Sequence, residues 1–347
     1  MTEHKHTFIS TSPSHHITIT MAISLSLKSR ALGAIWGTCV ADALGGPVQF
    51  RDPGTFPPIQ SFEHVHPFNE PAGSYSDDGA MTLALAQSFI DAKGRYDHTL
   101  SIKYYLQWMK DGRFSTTDYA WDMGDSTRAA LRIWKNSPSN DPHTQAQAQT
   151  QTQAKVNDLL DHEDKSGNGS LMRIVPVGVI LWKDPKFARK VARAQSEITH
   201  PALACLEACD AFTELICRAM RGQSKEQMCD VFASFQFRHH ALGQRMKGYK
   251  RVADWKGKGS GQMKSSGWVV DTLECALWGF FKYDSWEKGA LAVVNLGGDS
   301  DTAGAIYGAL AGVFYGADAI PRWWVDDMQN KREIFEIARR FADLVMK

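Results

Sequence analysis

The stretch LKSRALGAIWGTCVADALGGPVQF, Leu27 to Phe50, decides the class of fold. Its apolar residues Leu32, Ile35, Trp36, Cys39, Val40, Ala43 and Leu44 recur at the spacing of one helix face, and the pattern stops at Gly45-Gly46-Pro47. Downstream, residues 51–75 hold five prolines and show no period, so they read as a long loop that runs into a helix cap at Ser76-Asp77-Asp78. Met81, Leu83, Leu85, Phe89 and Ile90 on a run of good helix formers predict a second helix. The same reading predicts helices near 98–110, 125–135, 185–195, 201–221, 225–235, 268–281, 286–295, 302–316 and 331–346. Strand candidates are few: Val175 to Leu181 is an apolar run short enough to be strand or helix. The expected class is all-α.

The rest of the chain sets bounds. With 347 residues, 43% hydrophobic and 22% charged, it has room for one large core and the composition of a soluble globular protein. A formal charge of +1 argues against a global polyanion binder, so no stable nucleic-acid partner is expected. Six cysteines without a CxxC pair read as reduced and structural, which fits a cytoplasmic protein. The longest uncharged apolar stretch, Ala303 to Ala317, is shorter than a membrane span, so no membrane partner is expected. Residues 1–26, rich in Ser, Thr and His, read as a disordered tail, and 27–347 as one domain with a low-complexity insertion at about 142–156. Within it His143 to Lys155 offers no apolar face and is expected to be a disordered loop. Arg245 to Lys264 carries seven basic residues and one acid among glycines and reads as a solvated mobile loop, or as a rim that attracts phosphate.

Chemistry concentrates in Ser76-Asp77-Asp78-Gly79 and Gly297-Gly298-Asp299-Ser300-Asp301-Thr302, each just before an apolar helix. One aspartate at a helix start is a cap, but two at each place four mutually repelling charges at helix ends. Carboxylates with the hydroxyls of Ser76 and Thr302 form an all-oxygen set suited to Mg²⁺, Mn²⁺ or Ca²⁺ rather than Zn²⁺. Spacing leaves two readings open, a shared cation site or two independent caps. Gly-rich turns at Gly45-Gly46, Gly167-Asn168-Gly169-Ser170, Gly257 to Gly261 and Gly297-Gly298 let backbone approach a ligand closely. Arg173 suits either a phosphate or a structural salt bridge, and His200, before Pro201, either a ligand contact or a packed cap.

In order along the chain these segments resemble the ADP-ribosylglycohydrolase family. Gly33 to Phe50 is similar to its opening GxxxGxxxGDALGxPxE helix, and Tyr75 to Leu85 to its TDDTxMxLAL element. Asp122 to Arg128, Gly167 to Arg173, Thr199 to Pro201, Ser266 to Leu273 and Asn295 to Ala303 follow in the family's order. The resemblance implies an orthogonal all-α bundle with a binuclear Mg²⁺ cleft, Mn²⁺ being the alternative ion. It implies Ser76, Asp77, Asp78, Asp299, Asp301 and Thr302 as metal ligands, and Gly167, Asn168, Gly169, Ser170, Leu171 and His200 as the lining of the diphosphate and distal ribose. It also implies Trp268, after Ser266 and Gly267, as a platform for adenine.

Two positions depart from the family pattern: Gly79 lacks a second hydroxyl, and Gln49 stands where many relatives carry a functional Glu. Gln cannot accept a proton at neutral pH. Asp42 is expected beside the metals as an outer carboxylate, with Gln49 near it. The implied reaction is metal-assisted hydrolysis of the bond between the distal ribose C1″ of ADP-ribose and its acceptor, with Asp78 or Asp301 taking the water's proton. The substrate would be an ADP-ribosylated protein or a small ADP-ribose conjugate, and the protein a monomer. The alternatives are a non-catalytic ADP-ribose binder and a hydrolase of a small ADP-ribose derivative.

Overall fold

A computed structural model describes residues 25–137 and 142–346, so the expected tail, residues 1–26, lies almost wholly outside the described residues. The first part contains α1 (Leu27–Gly45), α2 (Asp77–Asp91), α3 (His98–Asp111), α4 (Asp125–Lys135), α5 (Pro142–Leu160), α6 (Val175–Ile180), α7 (Pro185–Glu197) and α8 (Leu203–Met220). The second contains α9 (Lys225–Cys229), α10 (Val231–Ser234), α11 (His240–Lys247), α12 (Val252–Lys256), α13 (Val269–Lys282), α14 (Trp286–Val294), α15 (Ser300–Tyr315), α16 (Arg322–Asp327) and α17 (Lys331–Val345). Among the described residues, β pairing is limited to two isolated bridges, Val65 with Glu70 and Gly167 with Trp268. The class is all-α, as expected.

The core is built around α1 and α15, which lie against each other along their length. Glycines make that closeness possible: a Cβ on Gly308 would stand 2.0 Å from the Gly37 carbonyl oxygen, and one on Gly312 1.9 Å from that of Gly33. Backbone therefore packs on backbone, and the apolar residues of α1 are covered on all sides rather than on one face. Residues Leu27–Val48 are long and apolar enough to cross a membrane, yet nearly all of that segment is buried inside the protein as its central helix. Around this pair, α13 and α14 cover one side of α15, α2 and α17 cover α1, and α6, α7 and α8 form a further layer.

The structure differs from the sequence reading in three places. The Gln/Ala tract is not a disordered loop, because Pro142–Leu160 is helical and packs against α4. Ala148, Thr152, Val156 and Leu160, four residues apart, are all buried on one face. Alanine and threonine bury too little area for a composition-based reading to register them as a face. The basic run is not a solvated loop throughout: it contains α11 and α12 and buries Met246, Tyr249, Val252, Trp255 and Met263. Val175 to Ile180 is helix, and the single helix read near 225–235 divides into α9 and α10 at Asp230.

Candidate active site

Two helix N-termini face each other across the floor of a cleft of about 630 Å³, within the usual range for small-molecule sites. One belongs to α2. Ser76 is its cap, and the Ser76 hydroxyl donates to Asp78 Oδ2 at 3.0 Å. The other belongs to α15, where Thr302 Oγ1 donates across the gap to the same Asp78 oxygen at 3.3 Å. The segments that are 221 positions apart in sequence thus meet through one carboxylate, as the shared-site reading requires. Asp77, Asp299, Asp301 and Thr302 line the cleft, while Asp78 lies beneath it, fully buried.

Asp42, on the last turn of α1, underpins the α2 side. Its carboxylate accepts from the Ser76 N–H at 3.0 Å and from the Gly79 N–H at 2.8 Å, satisfying donors that a helix start leaves open. Asp42, Asp78 and Asp301 each place an oxygen within 4.8 Å of the others. Asp42 is therefore close enough to share a cation, but its oxygens are already directed at the backbone, which fits a supporting place. Asp78 Oδ1 and Asp301 Oδ1 are different: both are buried and have no hydrogen-bond partner.

Burial and mutual repulsion push these carboxyls up together. Asp77, Asp78 and Asp301 rise well above the usual carboxylate range, burial being the largest cause and neighbouring aspartates the next. Asp42 is pushed up to about 7 mainly by burial, against the downward pull of its backbone hydrogen bonds. Among the described residues lining the cleft there is no Lys or Arg to offset these charges. A carboxylate cluster with unpartnered inward oxygens and no cationic side chain suits a hard divalent cation, and the oxygen-only donor set fits it.

Asp122 is an acidic cleft residue that sequence reasoning did not single out. It precedes α4, adopts left-handed backbone with φ +56°, lines the cleft and contacts Asp301. Burial pushes its carboxyl up to about 6, with Asp301 and Gln49 pulling it back. The signal available was its place in the motif Asp122 to Arg128, which carries no chemical meaning until α4 is folded against the cleft. Gln49 also lines the cleft; its Nε2 is buried and finds no partner of good hydrogen-bond geometry.

The Gly167-Asn168-Gly169 turn forms a wall beside Asp299. Asn168 Nδ2 donates to Asp299 Oδ2 at 2.6 Å and to Thr272 Oγ1 at 3.0 Å, and its backbone N–H donates to Gly267 O at 3.1 Å. Gly167, Asn168, Gly169, His200, Ser266 and Gly267 all line the cleft. Gly169 is glycine for want of space, since a Cβ there would stand 2.7 Å from His200 Cε1. Behind the turn, fully buried Arg173 donates to Gln195 and to Thr199 Oγ1 at 2.8 Å and lies over the Tyr105 ring at 4.4 Å. It serves neither a phosphate nor a salt bridge. Because Arg173 only donates, the Thr199 hydroxyl satisfies every group by sending its hydrogen to His200 Nδ1, 2.8 Å away. That leaves Nε2 carrying the ring proton and directed toward the glycine turn. Burial and Arg173 hold the imidazole neutral, its pKa pushed down to about 3.

Three expected substrate contacts stand elsewhere. Ser170 accepts from the Ser196 hydroxyl in the core and Leu171 is fully buried, because the helical turn after Gly169 directs both side chains away from the cleft. Trp268 packs beside the cleft rather than lining it, its ring 5.9 Å from the Arg245 guanidinium, which is paired with Asp271 and Glu274.

Comparison with known proteins places this geometry in context. The ADP-ribosylglycohydrolase family model matches residues 24–347. The chain is 27% identical to the ADP-ribosylarginine hydrolase Tri1 of Pseudomonas putida (strain GB-1), covering 90% of this chain and 78% of that protein. It is 28% identical to the ADP-ribosyl-[dinitrogen reductase] glycohydrolase of Rhodospirillum rubrum, covering 92% and 97%. At 21% identity it is similar to the human ADP-ribosylhydrolase ARH3, covering 92% and 94%. A solved structure described as an ADP-ribosylglycohydrolase-related protein complex superposes with a TM-score of 0.73 at 29% identity, over 92% of this chain and 99% of that one.

Proposed function

Because the chain belongs to the ADP-ribosylglycohydrolase family, we propose that it is a divalent-metal-dependent hydrolase that frees ADP-ribose from arginine side chains of modified proteins. The observation that carries the reading is the meeting of the α2 and α15 N-termini around aspartate oxygens with no partner and no cationic neighbour. Asp77, Asp78, Asp299 and Asp301, with Ser76 and Thr302, would hold two ions, Mg²⁺ first. Bound there, the ions would supply Lewis-acid stabilisation of charge at the distal ribose and lower the pKa of the attacking water.

The chain's own residues do the rest. Asp122 lines the cleft in contact with Asp301 and takes the water's proton, a task for which Asp78 is too deeply buried. Asn168, locked by Asp299 and Thr272, fixes the wall against which the ribose and diphosphate lie. The His200 Nε2–H is aimed at the same wall as a neutral donor. Gln49 turns its amide N–H toward Asp122 and steadies that carboxylate. Arginine is the acceptor of the Pseudomonas putida relative by its name, and a cleft lined by Asp122 and Asp125 with no cationic side chain suits a guanidinium.

The test is release of ADP-ribose from arginine- and serine-linked conjugates in Mg²⁺ and in EDTA. Release from the arginine conjugate alone, abolished by EDTA and reduced at least a hundredfold in Asp301→Asn and Asp122→Asn, is the expected result. Unchanged release in EDTA would overturn the metal assignment, and no release from either conjugate would overturn the hydrolase.

A further inference from the structure

We infer that Phe50 is the residue that recognises the acceptor, stacking on the planar guanidinium of arginine where it leaves the cleft. The inference rests on the hydrolase reading above and extends it to a side chain with no part in holding a metal or ADP-ribose. Phe50 is 66% exposed, the most exposed large hydrophobic side chain among the described residues, and it lines the cleft next to Gln49. A phenylalanine that contributed only to folding would turn inward, as Phe56 does six residues later.

Its backbone shows that the position is enforced. Phe50 has φ +64°, a conformation that a bulky residue adopts only when the surroundings dictate it. The Phe50 N–H donates to Gly298 O at 2.6 Å, and the Gly298 N–H donates back to Arg51 O at 2.8 Å. Gly297 and Gly298 are themselves in positive φ, so the turn that carries Asp299 and Asp301 clamps Phe50 at the rim. The placement of the ring is thus tied to the placement of the acidic floor.

The ring also heads a row of aromatics. Phe68 lies 6.3 Å from Phe50, and Trp121 lies 5.3 Å from Phe68, directly before Asp122 in the chain. The row leads from exposed Phe50 at the cleft to buried Trp121, the neighbour of Asp122 in the chain. With the diphosphate and ribose against the glycine turn, the acceptor would leave the cleft past the exposed Phe50 ring. A guanidinium is the acceptor group best matched to an exposed phenyl face, because it is planar, permanently charged and weakly hydrated.

The experiment compares wild type, Phe50→Ala and Phe50→Tyr in Mg²⁺, measuring kcat and KM for ADP-ribosylarginine and the inhibition constant of free ADP-ribose. Phe50→Ala should raise KM about fivefold, the loss of one exposed cation–aromatic contact, with kcat and the ADP-ribose inhibition constant within twofold of wild type. Phe50→Tyr, which keeps the ring, should restore the wild-type KM. A KM unchanged in Phe50→Ala, or an ADP-ribose inhibition constant that rises in parallel with it, would overturn the assignment. If wild type turns over no conjugate, the hydrolase reading fails by itself, and the intact conjugate then allows the same comparison by equilibrium binding. Phe50→Ala must still weaken ADP-ribosylarginine more than ADP-ribose for the contact to stand.

Discussion

Replacing Gly308 with alanine should break the relation between the two helices that carry the site. The new Cβ would lie 2.0 Å from the Gly37 carbonyl oxygen and 2.7 Å from Ala41 Cβ. Carbon and carbonyl oxygen rest no closer than about 3.3 Å, so α1 and α15 must part by about 1.3 Å at this level. Neither neighbour is the movable end of a long side chain. The overpacking cost therefore sits near the upper end of about 1–3 kcal/mol, less the roughly 1 kcal/mol that alanine gains over glycine within a helix.

A net loss of about 2 kcal/mol is expected in urea denaturation, whereas Gly261→Ala, where a Cβ meets nothing within 4 Å, should be neutral or slightly stabilising. Asp301 is seven residues, about two turns, before Gly308 on the same helix. A shift of about 1 Å there should lower kcat/KM ten- to a hundredfold. Wild-type stability together with wild-type turnover in Gly308→Ala would refute the claim that glycine contact between α1 and α15 sets the site.

Three further outcomes follow from burial and charge. In EDTA the raised carboxyls of Asp42, about 7, and Asp122, about 6, bind protons more tightly in the folded protein than in the unfolded chain. Their contribution is in place below about pH 4 and is lost as pH rises through 6 and 7. The unfolding free energy read from urea denaturation should fall between about pH 4 and 7, with these two groups contributing about 7 kcal/mol, and saturating Mg²⁺ should remove the fall; an unfolding free energy in EDTA that rises toward pH 7.5 would refute it. His200 works in the opposite sense, since the unfolded chain takes a proton near pH 6.5 and the folded one does not until about 3. It should cost about 1.4 kcal/mol for each pH unit between those values, and its ring nitrogens should show the neutral Nε2–H form by NMR at pH 5; a titration near 6.5 would contradict the hydrogen-bond chain from Arg173. Val156→Asp should destabilise by several kcal/mol by burying a charge without a partner, whereas Gln151→Glu, on the exposed face of the same helix, should change little; equal effects would refute the packed α5.

The sequence by itself determined the helical class, because apolar residues at helical spacing and helix-stop signals such as Gly45-Gly46-Pro47 are local properties of the chain. It also determined the donor chemistry of the floor: only oxygen donors occur in the two acidic segments, so any cation held there would be a hard one, while spacing left a shared site and two separate caps both open. The order of motifs added the family. What the sequence left open was which side chains share one space. Asp122 joins the site because α4 starts at the cleft mouth, and Asp42 is tied to α2 because α1 ends beneath it. Ser170 and Leu171 leave the site because one helical turn rotates them inward, and Arg173 supports Thr199 instead of meeting a ligand. The Gln/Ala tract was opaque for a related reason: alanine and threonine form a face only when a neighbouring helix is there to be covered. Contacts between residues far apart in sequence depend on how closely helices approach, and here glycines on two helices set that distance together. Neither helix alone specifies it.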